Sequence, residues 1–456
     1  MEELDYLGKG NVKKVLFSLG WPAALTFAVQ SVYNLTDIVF AGRWLGSMQI
    51  AAIVTVGTAI VLYSSIGLIV GTGGASIISR AMGEKNKAKA ARVFGNQLVL
   101  LGVGCLAIIT VGIAFEEFIL RLFGAYGDIF PYARSYYRIL LLGVPFFTFS
   151  MMGNMVIQSV GNAKAALVNS MVPLVVNAIL NPVLIKGLHL GIAGSAMATC
   201  LSFGLGFFMT ARFFYLGGFG LKKEWNWTRY DAKISGEIIK IGSSVVVGVV
   251  TSNGFMIVLN KILYRYQDES GVIIYSIINR IGMLFLVPMV GIDGGVRPII
   301  GYNFGSRQMD RVREVVLYAL KSGILICASL LAVLLLFSEQ VIQVITNDPK
   351  VIQITPHSMK IVFAMSPLYI VDVISAAYFQ SVGKPGLALF VIMLRNVILL
   401  IPTIYLLSWR FGYEGVLYSF PVVDILTTIP VFFVLRREIN RMVGESGGLH
   451  FINKKP

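Results

Sequence analysis

A lone carboxylate, Asp37, stands near the far end of the first long apolar segment, in Tyr33-Asn34-Leu35-Thr36-Asp37. In a bilayer core an ionised Asp costs roughly 2.5–3.5 kcal/mol on insertion scales, so a residue of this kind marks an ion or proton site. A second polar set lies in Val175-Val176-Asn177-Ala178-Ile179-Leu180-Asn181-Pro182, where two amides one turn apart share a helix face. Pro182 removes a backbone donor and frees the carbonyl around Ala178. With Thr199 in the next apolar segment, and with Asp37 and Tyr33, these groups supply the oxygens that a small hard cation or a proton-linked network requires. The amides are equally suited to hydrogen-bonding neighbouring helices, and their spacing leaves both readings open.

The second half of the chain has charges of its own. Asp293 and Arg297 lie four apart and are spaced to pair as a structural ion pair. Arg280, Asp372, Arg395 and Asp424 also fall in apolar stretches, with Asp372 ranking second to Asp37 as a coupling acid. Arg280 and Arg395 are candidates to neutralise these acids or to face an anionic substrate. Enzymatic chemistry has little to build on, and no enzyme is expected. The three cysteines, Cys105, Cys200 and Cys327, occupy separate apolar segments, and His189, His357 and His450 are scattered. No GxxxxGK[ST] string occurs, so an ion gradient rather than a built-in P-loop ATPase is the expected energy source.

These residues must be held by membrane helices. Of the 456 residues 56% are hydrophobic and 13% charged, with a mean hydropathy of +0.77, far from the roughly one-quarter charged share of soluble domains. A span needs about 20 apolar residues, and the apolar runs number about twelve. The expected spans are 14–42, 48–81, 93–123, 132–161, 164–187, 191–216, 234–264, 270–303, 311–338, 354–383, 386–409 and 413–436. Little chain is left for a soluble module. The net charge of +15 does not indicate nucleic acid, because Lys and Arg concentrate in alternate loops such as Arg80–Arg92, Arg212–Lys233 and Arg307–Arg313. That asymmetry places both termini in the cytoplasm of a cell with the protein in its inner (plasma) membrane, and no cleavable signal peptide is expected.

The halves are related to each other. Gln158-Ser159-Val160-Gly161 recurs as Gln380-Ser381-Val382-Gly383, and Ile77-Ile78 with Gly83 recurs as Ile299-Ile300 with Gly305, both at an offset of 222 residues. A weaker echo pairs Gly191 to Gly194 with Gly412 to Gly415, one residue out of register. Each half has an even number of spans, so the repeats share one orientation and are related by an axis along the membrane normal. The expected fold is an all-α polytopic membrane protein with twelve transmembrane helices in two six-helix lobes, 1–220 and 221–443, followed by a cytoplasmic tail, 444–456. Two such lobes suit alternating access. Gly71-Thr72-Gly73-Gly74 and Gly291-Ile292-Asp293-Gly294-Gly295, similarly placed in the two halves, read as sites of close helix packing or bending rather than phosphate loops.

Taken together, Tyr33 to Asp37 followed by Gly42, Gly83, Gln158 to Gly161, Asn177 to Pro182, and above all Pro298-Ile299-Ile300-Gly301-Tyr302-Asn303-Phe304-Gly305 make the chain resemble the multidrug and toxic compound extrusion (MATE) transporters, especially their DinF-like branch. The resemblance covers nearly all of the twelve-span region. It implies a V-shaped pair of six-helix lobes and cation-coupled export of amphipathic, often cationic, organic compounds. It also implies a coupling role for Asp37, an N-lobe polar cluster of Asn177, Asn181 and Thr199, and a gating bend in the first span at Pro22. Gln30 and Asn154 would line the substrate cavity. Met151, Met152 and Met155 offer an adaptable apolar wall, or plain packing. Some relatives use a carboxylate on span ten, and Asp372 falls about one turn from that position.

One departure from the family pattern bears on the coupling ion. Where relatives often carry a second acid, a turn after the first amide, this chain has Asn181, so the cluster holds one carboxylate. Less negative charge lowers sodium affinity, which favours protons, although neutral oxygens at Asn177, Asn181 and Thr199 with Asp37 still form a possible sodium set. No other cofactor is expected, and the protein is expected to act as a monomer in the bilayer on small organic substrates. A flippase for a lipid-linked saccharide is the nearest rival, though it would favour several cleft arginines. A non-transporting receptor or an intramembrane enzyme is a more distant one.

Overall fold

The computed structural model describes residues 2–217, 230–346 and 348–452, and the side chains of residues 2–5, 31–41, 350 and 446–452 lie outside that description. The helices are α1 (Glu2–Lys9), α2 (Val12–Trp44), α3 (Ser47–Gly83), α4 (Lys87–Ala114), α5 (Glu116–Leu122), α6 (Ile129–Ser159), α7 (Ala163–Pro182), α8 (Gly191–Tyr215), α9 (Ala232–Gly305), α10 (Met309–Leu336), α11 (Ser338–Ile345), α12 (Pro349–Phe363), α13 (Tyr369–Ser381), α14 (Pro385–Met393) and α15 (Leu400–Ile452). No strand occurs among the described residues. Apolar side chains such as Val103 and Leu106 stay exposed, as expected where lipid rather than water is the neighbour.

Ten stretches among the described residues are long and apolar enough to cross a membrane. Two of them contain a break. Ala232–Gly305 leaves helical angles at Gln267 and Asp268, and Pro385–Glu445 turns at Gly412, whose φ of 60° suits a residue without a side chain. Splitting each at its break yields the twelve expected spans.

Two expected boundaries shift, and one expected span carries an internal break. The segment read as 93–123 stops at Ala114, bends at Phe115, and restarts as α5 with the polar pair Glu116-Glu117. Buried Glu116 is held there by Arg134 and Arg138 of α6, each at 2.9 Å. The segment read as 354–383 breaks at Ser366–Leu368, where Pro367 has no N–H to donate to a continuing helix. The tail read as starting at 444 is helical through Ile452, as the continuation of α15. Ion pairs support that helix: Glu438 meets Lys384, and Arg441 reaches Glu445 at 3.0 Å. The strap between the halves lies largely outside the described residues.

The backbone carries the internal repeat in detail. Phe115 and Phe337 have nearly identical angles (φ −113° and −110°, both ψ 25°), as do Lys85 and Arg307 (φ 58° and 59°), each pair at the offset of 222 residues. Gly161 and Gly383 also keep positive φ at that offset, while Gly191 (φ 57°) and Gly412 (φ 60°) match one residue out of register. The turns are built from local chemistry. Asn86 and Asn162 cap α4 and α7 by accepting from the Lys89 and Ala165 amides at 2.9 and 3.1 Å.

Two compact units emerge, but they do not follow chain order. One contains Leu25–Ser243, and the other contains Tyr6–Ala24 with Ser244–Pro456. The expected division into 1–220 and 221–443 is therefore corrected at both long helices: the beginning of α2 packs with the second unit, and the beginning of α9 packs with the first. The reason is backbone contact at glycines. A Cβ on Gly20 would meet the Gly291 carbonyl at 2.8 Å, and one on Gly295 would meet the Leu16 carbonyl at 2.9 Å. At the equivalent positions of the other unit, a Cβ on Gly73 would overlap the Ile238 carbonyl and one on Gly242 the Ile69 carbonyl. These are the two glycine-rich strings, and close packing is their structural role.

Because backbone cannot withdraw as a flexible side chain can, Gly73→Val is expected to cost about 1–3 kcal/mol or more. Melting of the purified protein should fall sharply for Gly73→Val and stay near wild type for Gly102→Ala, a position with no atom within 4 Å of an added Cβ. Equal melting of the two variants would refute this packing.

Candidate coupling and substrate sites

In the first unit, α7 brings Asn177 and Asn181 onto one face, and α8 brings Thr199 against them. All three are buried. The Asn177 amide donates to the Thr199 hydroxyl at 3.2 Å, and the Asn181 amide donates to the Asn177 side-chain oxygen at 2.7 Å and to its backbone carbonyl at 3.2 Å. Pro182 ends α7, and a single π-helical turn, Val183–Gly187, follows. The expected cluster of Asn177, Asn181 and Thr199 is thus assembled, with the Asn177 oxygen already engaged by its neighbour. Asp37 and Tyr33 lie on α2 among the residues whose side chains are outside the description. No group of three or more His, Cys, Asp or Glu residues suited to a metal ion occurs among the described residues.

The cavity-lining candidates differ from one another. Gln30 is exposed on α2. Asn154 donates to the Ser170 hydroxyl at 3.2 Å, and its side-chain oxygen is buried without a hydrogen-bond partner. Met152 is fully buried, and Met155 takes the Thr72 hydroxyl at 3.6 Å while a Cβ on Gly71 would fall 2.6 Å from its sulfur. Both therefore pack α6 against α3. Met151 is half-buried on the same helix.

The second unit holds a denser charged cluster. Arg395 donates from Nε and Nη2 to Oδ1 of Asp424 at 3.1 and 2.8 Å, and its guanidinium lies 4.2 Å from the centroid of the Tyr369 ring. Arg395 sits on a second π-helical segment, Leu394–Leu399, and Tyr369 begins α13 just after the break at Pro367. Asp372, one turn further on, is 4% exposed with neither carboxylate oxygen hydrogen-bonded. Of the two arginines expected to neutralise these acids, only Arg395 does so. Arg280 is exposed and makes no ion pair among the described residues.

Asp293 pairs with Arg297 at 2.8 Å, as its spacing predicts, and Arg297 also donates to Gln380. Gln380 in turn donates to Ser244 at 3.1 Å, so the pair ties α9 to α13. Sequence reasoning did not single out Tyr369 or the two π-helical segments. The signal for the first was Ser366-Pro367, a helix break beside an aromatic residue.

Two structural repeats of six spans, each with a polar cluster beside irregular backbone in its fifth span, define a duplicated polytopic membrane protein of the transporter class. The chain belongs to the MatE family, whose model matches it twice, over residues 22–183 and 245–406. Among curated relatives it is 24% identical over 453 residues to multidrug export protein MepA of Staphylococcus haemolyticus (strain JCSC1435), covering 98% of both chains. It is 22% identical over 438 residues to MepA of Staphylococcus aureus (strain MRSA252), covering 95% of this chain and 96% of the relative. The fold is similar to that of a crystal structure described as MATE in the bent conformation, with a TM-score of 0.91 and 23% identity over 98% of this chain and 99% of the other. It is also similar to an outward-facing multidrug resistance MATE family transporter of the MOP superfamily, with a TM-score of 0.88 and 22% identity over 97% and 99% of the respective chains.

Proposed function

We propose that this protein is a secondary active transporter that exports amphipathic, often cationic, organic compounds in exchange for a cation, with protons favoured over sodium. The observation that carries the reading is the MatE match over residues 22–183 and 245–406 together with relatives named as multidrug export proteins. The choice of proton draws on the first-unit cluster. Its acid–amide set contains Asn181 where a second carboxylate would strengthen a sodium site, and the Asn177 oxygen already accepts from Asn181. Asp37 is the leading coupling acid and Asp372 the second.

In this reading, protonation of Asp37 from outside removes a charge from the first span and lets α2 repack at Pro22, which closes space that the exported compound had occupied. Pro22 lies just before the point, between Ala24 and Leu25, where α2 passes from one compact unit to the other. A proline that cannot complete the helical ladder is suited to bending there. The test is efflux of a fluorescent organic cation by the purified protein in liposomes under separately imposed proton and sodium gradients. Efflux driven by the proton gradient supports the proposal, efflux driven by sodium alone overturns the choice of ion, and movement of no solute under either overturns the transporter reading.

A further inference from the structure

A cavity of about 330 Å³ lies wholly within the second unit and contains none of the first-unit substrate candidates Gln30, Met151, Asn154 and Met155. Its walls come from α9, from the break between α12 and α13, from the π-helical segment that carries Arg395, and from α15. Every one of those backbone irregularities borders this space. Irregular backbone inside a membrane bundle is tolerated where it lines a cavity, and π-helical turns recur at functional sites.

The lining is aromatic and ends in charge. Tyr275 stacks on Phe420 with centroids 5.6 Å apart, Phe255 meets Phe420 edge-on at 6.3 Å, and Phe285 packs on Phe363 at 5.1 Å. At the polar end Asp424, 2% exposed, accepts both hydrogen bonds from Arg395 at one oxygen, Oδ1, which leaves Oδ2 to accept from a ligand. The Arg395 guanidinium, which also lines the cavity, is paired with Asp424 and stacked on the Tyr369 ring, so its charge is offset by that acid and by the ring face. With Asp372 behind it, the cluster has two carboxylates to one guanidinium. Aromatic faces and a free carboxylate oxygen attract a cation with N–H donors, and the volume sits at the small end of the usual ligand range of roughly 300–1,000 Å³.

We infer that this second-unit cavity is a binding site for a flat aromatic cation of about three fused rings, with Asp424 Oδ2 accepting its N–H and the Tyr275, Phe255 and Phe420 rings holding its plane. The site is separate from the first-unit candidates Gln30 and Asn154. It rests on the proposed function only for the choice of ligand charge.

The test is equilibrium binding of ethidium to the full-length protein in nanodiscs with no gradient, so that loss of transport and loss of binding are read apart. Gly282 lines the cavity, and a Cβ there meets the Phe363 ring at 3.4 Å, so Gly282→Leu fills the space. Gly282→Leu and Asp424→Asn are each expected to weaken one binding component by about tenfold or more, roughly 1.4 kcal/mol, and Gly102→Ala, remote from every assigned site, to leave that component unchanged. Photolabelling of the wild-type protein with ethidium monoazide is expected to place adducts within 252–289 or 362–424, a result independent of how any variant folds. Adducts confined to the first unit would overturn the site, as would ethidium binding unchanged in both cavity variants or a preference for the anionic probe anilinonaphthalene sulfonate.

Discussion

Asp37→Asn is expected to abolish ion-driven efflux in proteoliposomes while the protein still inserts and melts as wild type. Asparagine keeps the size and hydrogen-bonding shape of aspartate but cannot exchange a proton, so the variant separates charge from packing. For an uncharged substrate exchanged for one proton, the charge crossing 100 mV corresponds to about 2.3 kcal/mol and supports a gradient of roughly fiftyfold at 1.4 kcal/mol per decade, whereas exchange for a monovalent organic cation moves no net charge and draws on the pH difference alone, about tenfold per pH unit. The variant should let substrate equilibrate at most, so the accumulated gradient should fall to near unity under either imposed ion gradient. Asp372→Asn should have a smaller effect if Asp37 is the principal coupling acid. Normal uphill transport by Asp37→Asn under both gradients would remove Asp37 from the mechanism.

Arg395→Met should strongly destabilise the second unit. Arg395 is the only partner within hydrogen-bonding reach of the Asp424 carboxylate among the described residues, and Asp424 is 2% exposed. Removing one member of a buried pair leaves an uncompensated charge, which typically costs about 3–5 kcal/mol, and Asp372 nearby would add to the unbalanced negative charge. The pair itself need not be net stabilising, because two desolvated ions set against one good interaction often come close to balancing. The double variant Arg395→Met with Asp424→Leu should therefore recover most of the lost stability. Melting of the single and double variants forms the cycle that measures this coupling. A double variant as unstable as Arg395→Met alone would mean that Arg395 acts through packing on Tyr369 rather than through the ion pair.

The internal repeat shows how closely sequence and backbone agree here. Two short strings at an offset of 222 residues anticipated the duplication, and the backbone extends it to matching positive φ at Gly161 and Gly383 and to matching bends at Phe115 and Phe337 that the continuous span expected over 93–123 did not include. Glycine, proline and asparagine impose their conformations locally, so such positions are readable from a single chain. The Asp293–Arg297 pair was legible for the same reason, since a separation of four residues on a helix needs no knowledge of the fold. The meeting of Asn177 with Thr199 was less determined, because it depends on how α7 faces α8.

Other features were beyond sequence spacing. Arg280 and Arg395 look alike as single bases in apolar runs, yet only Arg395 reaches an acid, because the π-helical segment and the break at Pro367 bring α13, α15 and Arg395 together. Met155 was a candidate for the substrate wall, and the absence of a side chain at Gly71 let α6 draw it into the packing against α3.

By itself the sequence determined the class of protein, the twelve spans and the duplication, since hydropathy and short recurring strings act over a few residues and need no partner. Only the tertiary structure decided which unit each half of α2 and α9 joins, which charges pair, and where an aromatic cavity opens. Those outcomes depend on contacts between segments tens to hundreds of residues apart, such as Arg395 with Tyr369 and Leu16 with Gly295, and on backbone approaching backbone at distances that residue spacing does not encode.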